Sequence, residues 1–378
     1  MNIIGIHGAL DWDPTDILTK NRIHDAGATL FVDGKHIRSI DEERLSRTKW
    51  DGNFPYKSID YCLGDIPKED VDIVCFVPSS VDLCHRQTMS GEANKKIRNV
   101  FPNAEVWFVG HHLCHAASTV FTAPFNSGSF LTLDGFGSGI WDFADASIKG
   151  TENNSIGYFD KDKRIFRFFR MQGGLGENSF GDYYACMASN IFTEKTGVHN
   201  DKYNNAEGKI MGLSAYGKYD TTKDQPYTKS TEVAKEAFGI DRYEFGLPIV
   251  NFYDYGLVLD HLKAWDKPNA KWKYTPEDKA YFMQKNYEDA FLYLISELRE
   301  DYLEDNVCFA GGCFLNINTN TLIRDMFTNM HVVPFANDTG VHFGAAVWAS
   351  YKLNYTIEMP TNIALLGRSY DYSEVLGC

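Results

Sequence analysis

The feature of the sequence that most restricts its fold is a pattern of short apolar runs that occurs twice along the chain. Residues 1–6 form one run and residues 25–32 lead to Asp33-Gly34, after which residues 35–40 alternate between polar and apolar. An Asp-Gly pair between such runs is a strong hairpin signal. In the second half, the run 129–133 ends in a glycine-rich turn, and residues 141–148 and 155–159 repeat the hairpin pattern. The similarity between the two halves is too weak to identify a repeat by itself.

The rest of the chain alternates between buried strands and helices. Residues 71–77 and 104–109 are typical of buried strands, and a helix is expected to begin near His111. Thr275 followed by Pro276 predicts the start of the longest helix, because Thr caps a helix N-terminus and Pro fits the first turn. Strands at 307–310 and 330–335 and a final helix at 341–351 complete an α/β pattern.

Composition and charge exclude several classes of protein. Hydrophobic residues make up 44% of the 378 residues, which is typical of a globular chain. The net charge of −14 disfavours a broad grip on a nucleic-acid backbone. None of the eight cysteines forms a CxxC pair, so reduced, mostly buried thiols are expected. With neither a bilayer-spanning apolar run nor a basic N-terminal region, the sequence predicts a cytoplasmic protein without membrane contact.

A histidine pair is the sharpest local signal for a metal site. His111 and His115 are four residues apart, so a helix places them on one face and both imidazoles can bind one ion. Spacing alone leaves open a helix with polar histidines and no ion. Asp338, between a predicted strand and the final helix, is a third ligand candidate, although a helix N-cap is the alternative at that position.

Other residues are candidates for phosphate binding and proton transfer. Glycine-rich turns allow the backbone to approach an anion. The N-terminus of a helix after Gly311-Gly312 would also favour a bound phosphate. His24-Asp25 lies just before the first hairpin, where Asp25 is a general base or a turn cap. Residues 41–44 read as a solvated charged face. Residues 207–218, with two lysines among three glycines, are either a further anion-binding segment or a solvated loop. The expected nucleotide- or donor-binding residues are Asp134, Gly135, Gly137, Lys209, Gly212, Gly311, Gly312 and Asn316.

Seven motifs in order make the chain resemble the NodU/CmcH-type O-carbamoyltransferase family, which is related to hydrogenase-maturation carbamoyltransferases and tRNA threonylcarbamoyl transferases. The motifs are residues 24–26 (HDA), 42–47 (EERLSR), 111–115 (HHLCH), 133–135 (LDG), 207–212 (EGKIMG), 310–316 (AGGCFLN) and 334–340 (PFANDTG).

The resemblance implies an α/β fold of the actin/sugar-kinase/heat-shock type, with two ribonuclease-H-like lobes around a central cleft. It implies that His111, His115 and Asp338 hold a divalent metal, usually iron(II), and that ATP or carbamoyl-adenylate is bound as the donor. It gives Asp25, beside His24, the role of base for the acceptor hydroxyl. We assign residues 1–125 and 341–358 to the first lobe. The second is 126–340 with a helical insertion at about 178–305, and 359–378 are a linker or tail.

Two departures from the family pattern matter. Full-length members continue into a YrdC-like domain that makes carbamoyl-adenylate, and residues 366–368 resemble the start of the linker to it. Either a separate protein makes the donor or this chain is a fragment. The acidic segment at residues 11–16 is inserted ahead of His24. It is expected to be a surface loop, with a role in shaping the acceptor pocket as the alternative.

The predicted function is metal-assisted transfer of a carbamoyl group from carbamoyl-adenylate to a hydroxyl of a small molecule or modified nucleotide. One alternative is a threonylcarbamoyl-type transferase acting on tRNA, which the acidic charge disfavours. The other is a nucleotide-binding subunit that is inactive without a partner. A YrdC-like protein is the expected partner in trans, and the sequence is compatible with a homodimer.

Overall fold

The apolar run at the N-terminus forms the central strand of a five-stranded mixed sheet in the computed structural model. The structure describes residues 1–9, 23–78, 91–135, 137, 152–172, 179–197, 206–218, 240–244, 247–250 and 274–367. Strands β1 (Asn2–His7), β2 (Gly27–Val32) and β3 (Lys35–Asp41) are consecutive and antiparallel. Strands β4 (Ile73–Val77) and β5 (Glu105–Phe108) extend the sheet from β1 as parallel strands, in the order β3-β2-β1-β4-β5.

A second five-stranded sheet repeats this connectivity. Its antiparallel strands are β6 (Ser127–Leu133), β7 (Glu152–Asp160) and β8 (Ile165–Gln172). Strands β9 (Ile240–Glu244) and β10 (Leu247–Val250) form a small separate sheet. Strands β11 (Asn306–Ala310) and β12 (Asn329–Val332) then join β6 in parallel, giving the order β8-β7-β6-β11-β12. Two sheets of this kind match the arrangement that the resemblance implied, and the predicted α/β fold class is confirmed.

The chain divides into two compact units. Met1–Pro124 and Val333–Cys378 form unit 1, and Phe125–Val332 form unit 2. Residues 333–340, which the sequence analysis assigned to the second lobe, fall in unit 1. The reason is that they lead directly into a helix, Val341–Lys352, which packs on β1, β2 and β4.

Helices cover both faces of the unit 1 sheet. Alternate residues of β1 separate the two faces, as expected for a strand. Ile4 and Ile6 pack in a buried apolar cluster with Ile59 and Cys62 of the helix Tyr56–Leu63. Gly5 faces the other way, toward the helix Val341–Lys352. The helices of unit 1 are Glu42–Ser46, Tyr56–Leu63, Glu92–Val100, His111–Thr122 and Val341–Lys352, with 3-10 turns at Lys68–Asp70 and Asp338–Gly340.

Unit 2 contains the longest described helix, Pro276–Asp301. It begins as predicted, since Thr275 accepts a hydrogen bond from the Asp278 amide in a capping box. The other helices of unit 2 are Phe180–Thr196, Glu207–Leu213 and Ile317–Ile323, with 3-10 turns at Ser214–Tyr216, Gly312–Leu315 and Arg324–Met326. No helix of the described residues has the length and apolarity needed to cross a membrane.

Two local predictions need correction, and a third lies partly outside the described residues. Of the second predicted hairpin, residues 155–159 lie in β7, which pairs with β8, and residues 141–148 lie outside the described residues. Residues 207–213 form a helix and not a loop, since Glu207 at its start and mostly helix-compatible residues outweigh two glycines. Glu42 and Glu43 are buried and not solvated. Glu42 accepts hydrogen bonds from the Ser58 amide at 2.8 Å and hydroxyl at 2.7 Å, which caps the helix Tyr56–Leu63.

The cysteines of the described part behave as expected. Cys62, Cys75, Cys114, Cys308 and Cys313 are buried and form no disulfide there. Burial raises the pKa of Cys62 and Cys313 to about 12, so these thiols stay protonated. They act as small apolar residues in the core.

Candidate functional site

The predicted histidine pair lies at one end of the unit 1 sheet. The parallel strands β4 and β5 run toward this end, and the helix His111–Thr122 begins three residues after β5. His111 and His115 lie one turn apart on this helix, and both are buried, at 2% and 0% exposure. Buried histidines require partners for their ring nitrogens.

Asp338 is the partner of both histidines. It opens the 3-10 turn Asp338–Gly340 that leads into the helix Val341–Lys352. That helix packs so closely on the helix His111–Thr122 that a Cβ atom on Gly344 would lie 1.9 Å from the carbonyl oxygen of Cys114. The glycine therefore lets the two backbones touch and brings the turn beside the histidines. The alternative role of Asp338 as a helix cap is not seen, since the caps of this turn and helix use no side chain.

The three side chains form a tight triangle of potential ligand atoms. The Nε2 atoms of His111 and His115 are 3.1 Å apart. Oδ1 of Asp338 is 3.1 Å from Nε2 of His111 and 3.4 Å from Nε2 of His115. Ligand atoms about 2.1 Å from an ion are separated by about 3.0 Å at octahedral angles and about 3.4 Å at tetrahedral angles. The donor set and its spacing therefore fit a divalent metal ion.

Electrostatics at the triangle favour a charged carboxylate. Burial alone would raise the pKa of Asp338. Interaction with His111 and hydrogen bonds from His111 and His115 outweigh this, so the pKa of Asp338 lies well below its usual value. An ionised carboxylate beside two imidazoles is the form required of a metal ligand.

His24 and Asp25 lie next to the triangle in unit 1. Nδ1 of His24 is 3.1 Å from Oδ2 of Asp25 and 4.0 Å from Oδ2 of Asp338. The amide nitrogen of Asn337 donates to the same Asp25 oxygen at 3.0 Å. The Asp25 side chain is 4% exposed and that of His24 is 31% exposed. His24, whose ring centre is 4.8 Å from that of Trp50, is thus the more exposed member of the pair and the one that can meet a ligand.

The glycine-rich turns lie together in unit 2. Asp134-Gly135 follow β6 and Gly311-Gly312 follow β11, its parallel neighbour. Oδ1 of Asp134 accepts a hydrogen bond from the Gly312 amide at 3.1 Å. Gly311 has a φ of 99°, and a Cβ atom there would lie 2.0 Å from the Leu133 carbonyl oxygen. Only glycine fits this turn, at the strand edge where α/β proteins commonly bind ligands.

The remaining donor-binding candidates have other contacts in unit 2. Asn316 accepts hydrogen bonds from the backbone amides of residues 318 and 319, which caps the helix Ile317–Ile323. The Gly137 amide donates to the Glu152 carbonyl. Lys209 is exposed, with its ammonium 4.9 Å from the centre of the Phe192 ring, and Gly212 faces open space.

Sequence reasoning missed two residues of the unit 1 cluster. Asn337 holds Asp25, but its neighbours in sequence gave no reason to choose it. His7 ends β1 and is 1% exposed, with its ring 6.2 Å from that of His111. The signal available for His7 was its position as the polar residue that ends an apolar run. This position is at the same end of the sheet as His111.

Relatives support the family resemblance over most of the chain. A protein of Synechocystis, described as uncharacterized, is 28% identical over 379 residues, covering 88% of this chain and 56% of its own length. The nodulation protein NolNO of Sinorhizobium fredii is 23% identical over 364 residues, covering 88% and 47%. The chain thus spans about half the length of these curated relatives.

Solved structures with similar folds have low sequence identity. HypF of T. kodakarensis aligns over 93% of this chain and 48% of its own, with 14% identity and a TM-score of 0.47. The activator of 2-hydroxyisocaproyl-CoA dehydratase from Clostridium difficile, with bound ADPNP, aligns over 94% and 96%, with 13% identity and a TM-score of 0.47.

The family model described as "Carbamoyltransferase N-terminus" matches residues 17–97 and 87–347. These stretches include the histidine pair, Asp338 and both glycine-rich turns. The chain therefore belongs to the carbamoyltransferase N-terminus family.

Proposed function

We propose that this chain binds a divalent metal ion through His111, His115 and Asp338 and transfers a carbamoyl group from carbamoyl-adenylate to a hydroxyl. The observation that carries the proposal is the triangle of two buried imidazole nitrogens and one carboxylate oxygen, with edges of 3.1 to 3.4 Å. Two histidines and a carboxylate that leave positions open are typical of non-haem iron(II) sites. Iron(II) is also the metal that the resemblance implies.

A bound divalent ion supplies Lewis-acid polarisation of a carbonyl or phosphoryl oxygen. The chain's own residues would handle the proton. We assign its acceptance from the acceptor hydroxyl to His24, because this half-buried imidazole lies beside the triangle and its Nδ1 faces the Asp25 carboxylate, as in a base that a carboxylate orients. Asp25, the base expected from the resemblance, then orients the imidazole and stabilises its charged form.

The glycine-rich turns of unit 2 are the proposed contact for the phosphate of the donor. Backbone amides in such turns bind anions without a side chain in the way. Gly311 cannot be replaced by a residue with a Cβ atom without moving the Leu133 backbone. The backbones that follow β6 and β11 therefore approach each other closely, which brings the two glycine-rich turns together.

Formation of carbamoyl-adenylate is assigned to a YrdC-like domain or protein. The experiment supplies such a protein in trans, together with ATP, carbamoyl phosphate, the metal-loaded chain and a mixture of hydroxyl-bearing acceptors. Mass spectrometry should reveal a carbamoylated acceptor that is absent when the chain is omitted. If the donor forms and binds to the chain but no acceptor is modified, the chain is a binding subunit and the proposed transfer is wrong.

Metal content gives an independent test. The purified chain should carry roughly one divalent ion, and His111→Ala should remove most of it because the site loses one of its three ligands. His36→Gln is the matched control, as His36 is also a buried histidine of unit 1 but bonds to Ser39. Equal metal content in His111→Ala and the wild type would contradict the assignment.

A further inference from the structure

His7 has one satisfied ring nitrogen and one that is not. Its Nδ1 is 3.2 Å from the carbonyl oxygen of Val77. A carbonyl only accepts, so Nδ1 carries the hydrogen and Nε2 of the neutral ring is left as an acceptor. Nε2 is buried and has no hydrogen-bond partner among the described residues. A buried acceptor without a donor costs free energy, so it marks a place for a donor group from outside the protein.

The surroundings of His7 indicate which donor this is. Its ring meets that of His111 edge-on at 6.2 Å. His7 is buried at 1% exposure, and burial favours the neutral ring. His7 is not among the described side chains whose ligand atoms converge on one point with His111 and Asp338. It lies beside the proposed metal centre and outside its ligand set.

We propose that Nε2 of His7 accepts a hydrogen bond from a small N–H or O–H group of a ligand held at the His111–His115–Asp338 centre. The inference rests on the proposed function, which supplies two such groups: a water molecule on the ion and the amide of the carbamoyl group. Phosphate and carbonyl oxygens cannot donate to this nitrogen. If the amide is the source, His7 distinguishes a carbamoyl group from an acetyl group, which has a methyl in place of the NH2.

Two substitutions separate this role from a structural one. In His7→Asn, the side-chain amide can take the place of Nδ1 and keep the bond to Val77, but nothing replaces Nε2. In His7→Gln, the amide oxygen can reach the position of Nε2, while the bond to Val77 is weakened. A structural role predicts that Gln is the more harmful change, and the proposed role predicts that Asn is. His36→Asn, at another buried histidine of the same sheet, is the control.

The experiment has two binding arms. The first titrates the metal-free chain with Mn²⁺ alone, and the second compares carbamoyl-adenylate with acetyl-adenylate on the metal-loaded chain. The loss of one hydrogen bond should weaken binding by about 2- to 10-fold in His7→Asn, and His7→Gln should recover part of this. Weaker Mn²⁺ binding identifies water as the donor, and a smaller preference for carbamoyl-adenylate identifies the amide.

If His7→Asn binds Mn²⁺ and distinguishes the two adenylates as the wild type does, the inference is overturned. It is also overturned if His7→Gln weakens binding more than His7→Asn does. Complete loss of Mn²⁺ in His7→Asn would also overturn it, because that is the behaviour of a direct ligand. These outcomes leave the proposed function intact as long as the wild-type chain binds the ion and the donor. A wild-type chain that binds neither would defeat both.

Discussion

Asp25 has a backbone conformation that is unusual for its residue type. Its φ is 58°, in the left-handed region, and it is 3% exposed. Such a conformation costs roughly 1–3 kcal/mol in a non-glycine residue and persists where the surroundings fix it. Here His24 and Asn337 both bond to its Oδ2 atom. The strained residue thus lies in the cluster to which we assign proton transfer.

Replacement of either member of this pair should slow carbamoyl transfer. We expect His24→Asn and Asp25→Asn each to lower the single-turnover rate by about 10²–10⁴-fold, since one removes the base and the other its orienting partner. Because the two act as a unit, the double variant should be little worse than the more damaging single one. Asp33→Asn is the matched control, at an exposed turn with a similar φ of 50°. Independent, multiplying defects would contradict the pairing.

The sequence predicted some residues of the cluster better than others. Helical periodicity placed His111 and His115 on one face, which the helix His111–Thr122 confirms. Asp338 was ambiguous, because a ligand and a helix cap occupy the same place between a strand and a helix. Only the distances of 3.1 and 3.4 Å from the Asp338 carboxylate to the two imidazoles distinguish a ligand from a cap. His7 was missed because an apolar run predicts a strand but does not tell which residues lie beyond the end of that strand.

At the scale of elements, the contact between two helices positions the triangle. Gly344→Ala would put a methyl group 1.9 Å from the Cys114 carbonyl oxygen, a backbone atom that cannot rotate away. Overpacking of this kind costs about 1–3 kcal/mol, which should exceed the gain of about 1 kcal/mol in helix propensity. We expect a lower melting temperature and weaker metal binding, because Asp338 precedes the same helix. Both are measured on the purified variant.

Gly208→Ala is the control for that prediction. Gly208 lies in the helix Glu207–Leu213, and a Cβ atom there would meet nothing within 4 Å. The same substitution should therefore raise stability, by up to about 1 kcal/mol. If both variants shift the melting temperature in the same direction, steric contact at Gly344 does not control the helix pair.

The accuracy of the predicted elements followed the strength of their local signals. The turn at Asp33-Gly34 and the cap at Thr275 have side-chain or backbone requirements of their own, and both are confirmed. The turn between β7 and β8 contains Lys161, Asp162, Lys163 and Arg164 and no glycine, so it gave no comparable signal. The burial of Glu42 could not be predicted either, because its partner is the start of another helix.

At the scale of the whole molecule, the same connectivity in both sheets is evident only from strand pairing. The first sheet has its hairpin at Asp33-Gly34, and the second has a glycine-free turn in the equivalent position. Different side chains satisfy the same topology in each unit, since a strand requires residues that fit a pleated, buried surface and not particular residues. This explains why the sequence predicted strands in both halves but not a repeat.

Each unit also contains a histidine that makes stability depend on pH, the buried His36 in unit 1 and the half-buried His331 in unit 2. Burial, with a smaller effect of His342, lowers the pKa of His36 in unit 1 from 6.5 to about 4; burial, with Lys161, does the same for His331 in unit 2. As the pH falls from 6.5 toward 4, the unfolded chain takes up protons that the folded chain does not, so the free energy of unfolding decreases.

His36→Gln removes one such site. Near pH 5 it should reduce the slope of the free energy of unfolding against pH by up to about 1.4 kcal/mol per pH unit. Denaturant titrations between pH 4.5 and 7 measure this slope. Gly208→Ala, which changes no titrating group, should shift the profile without altering its slope. Parallel profiles for His36→Gln and the wild type would show that His36 is not neutral in the folded protein.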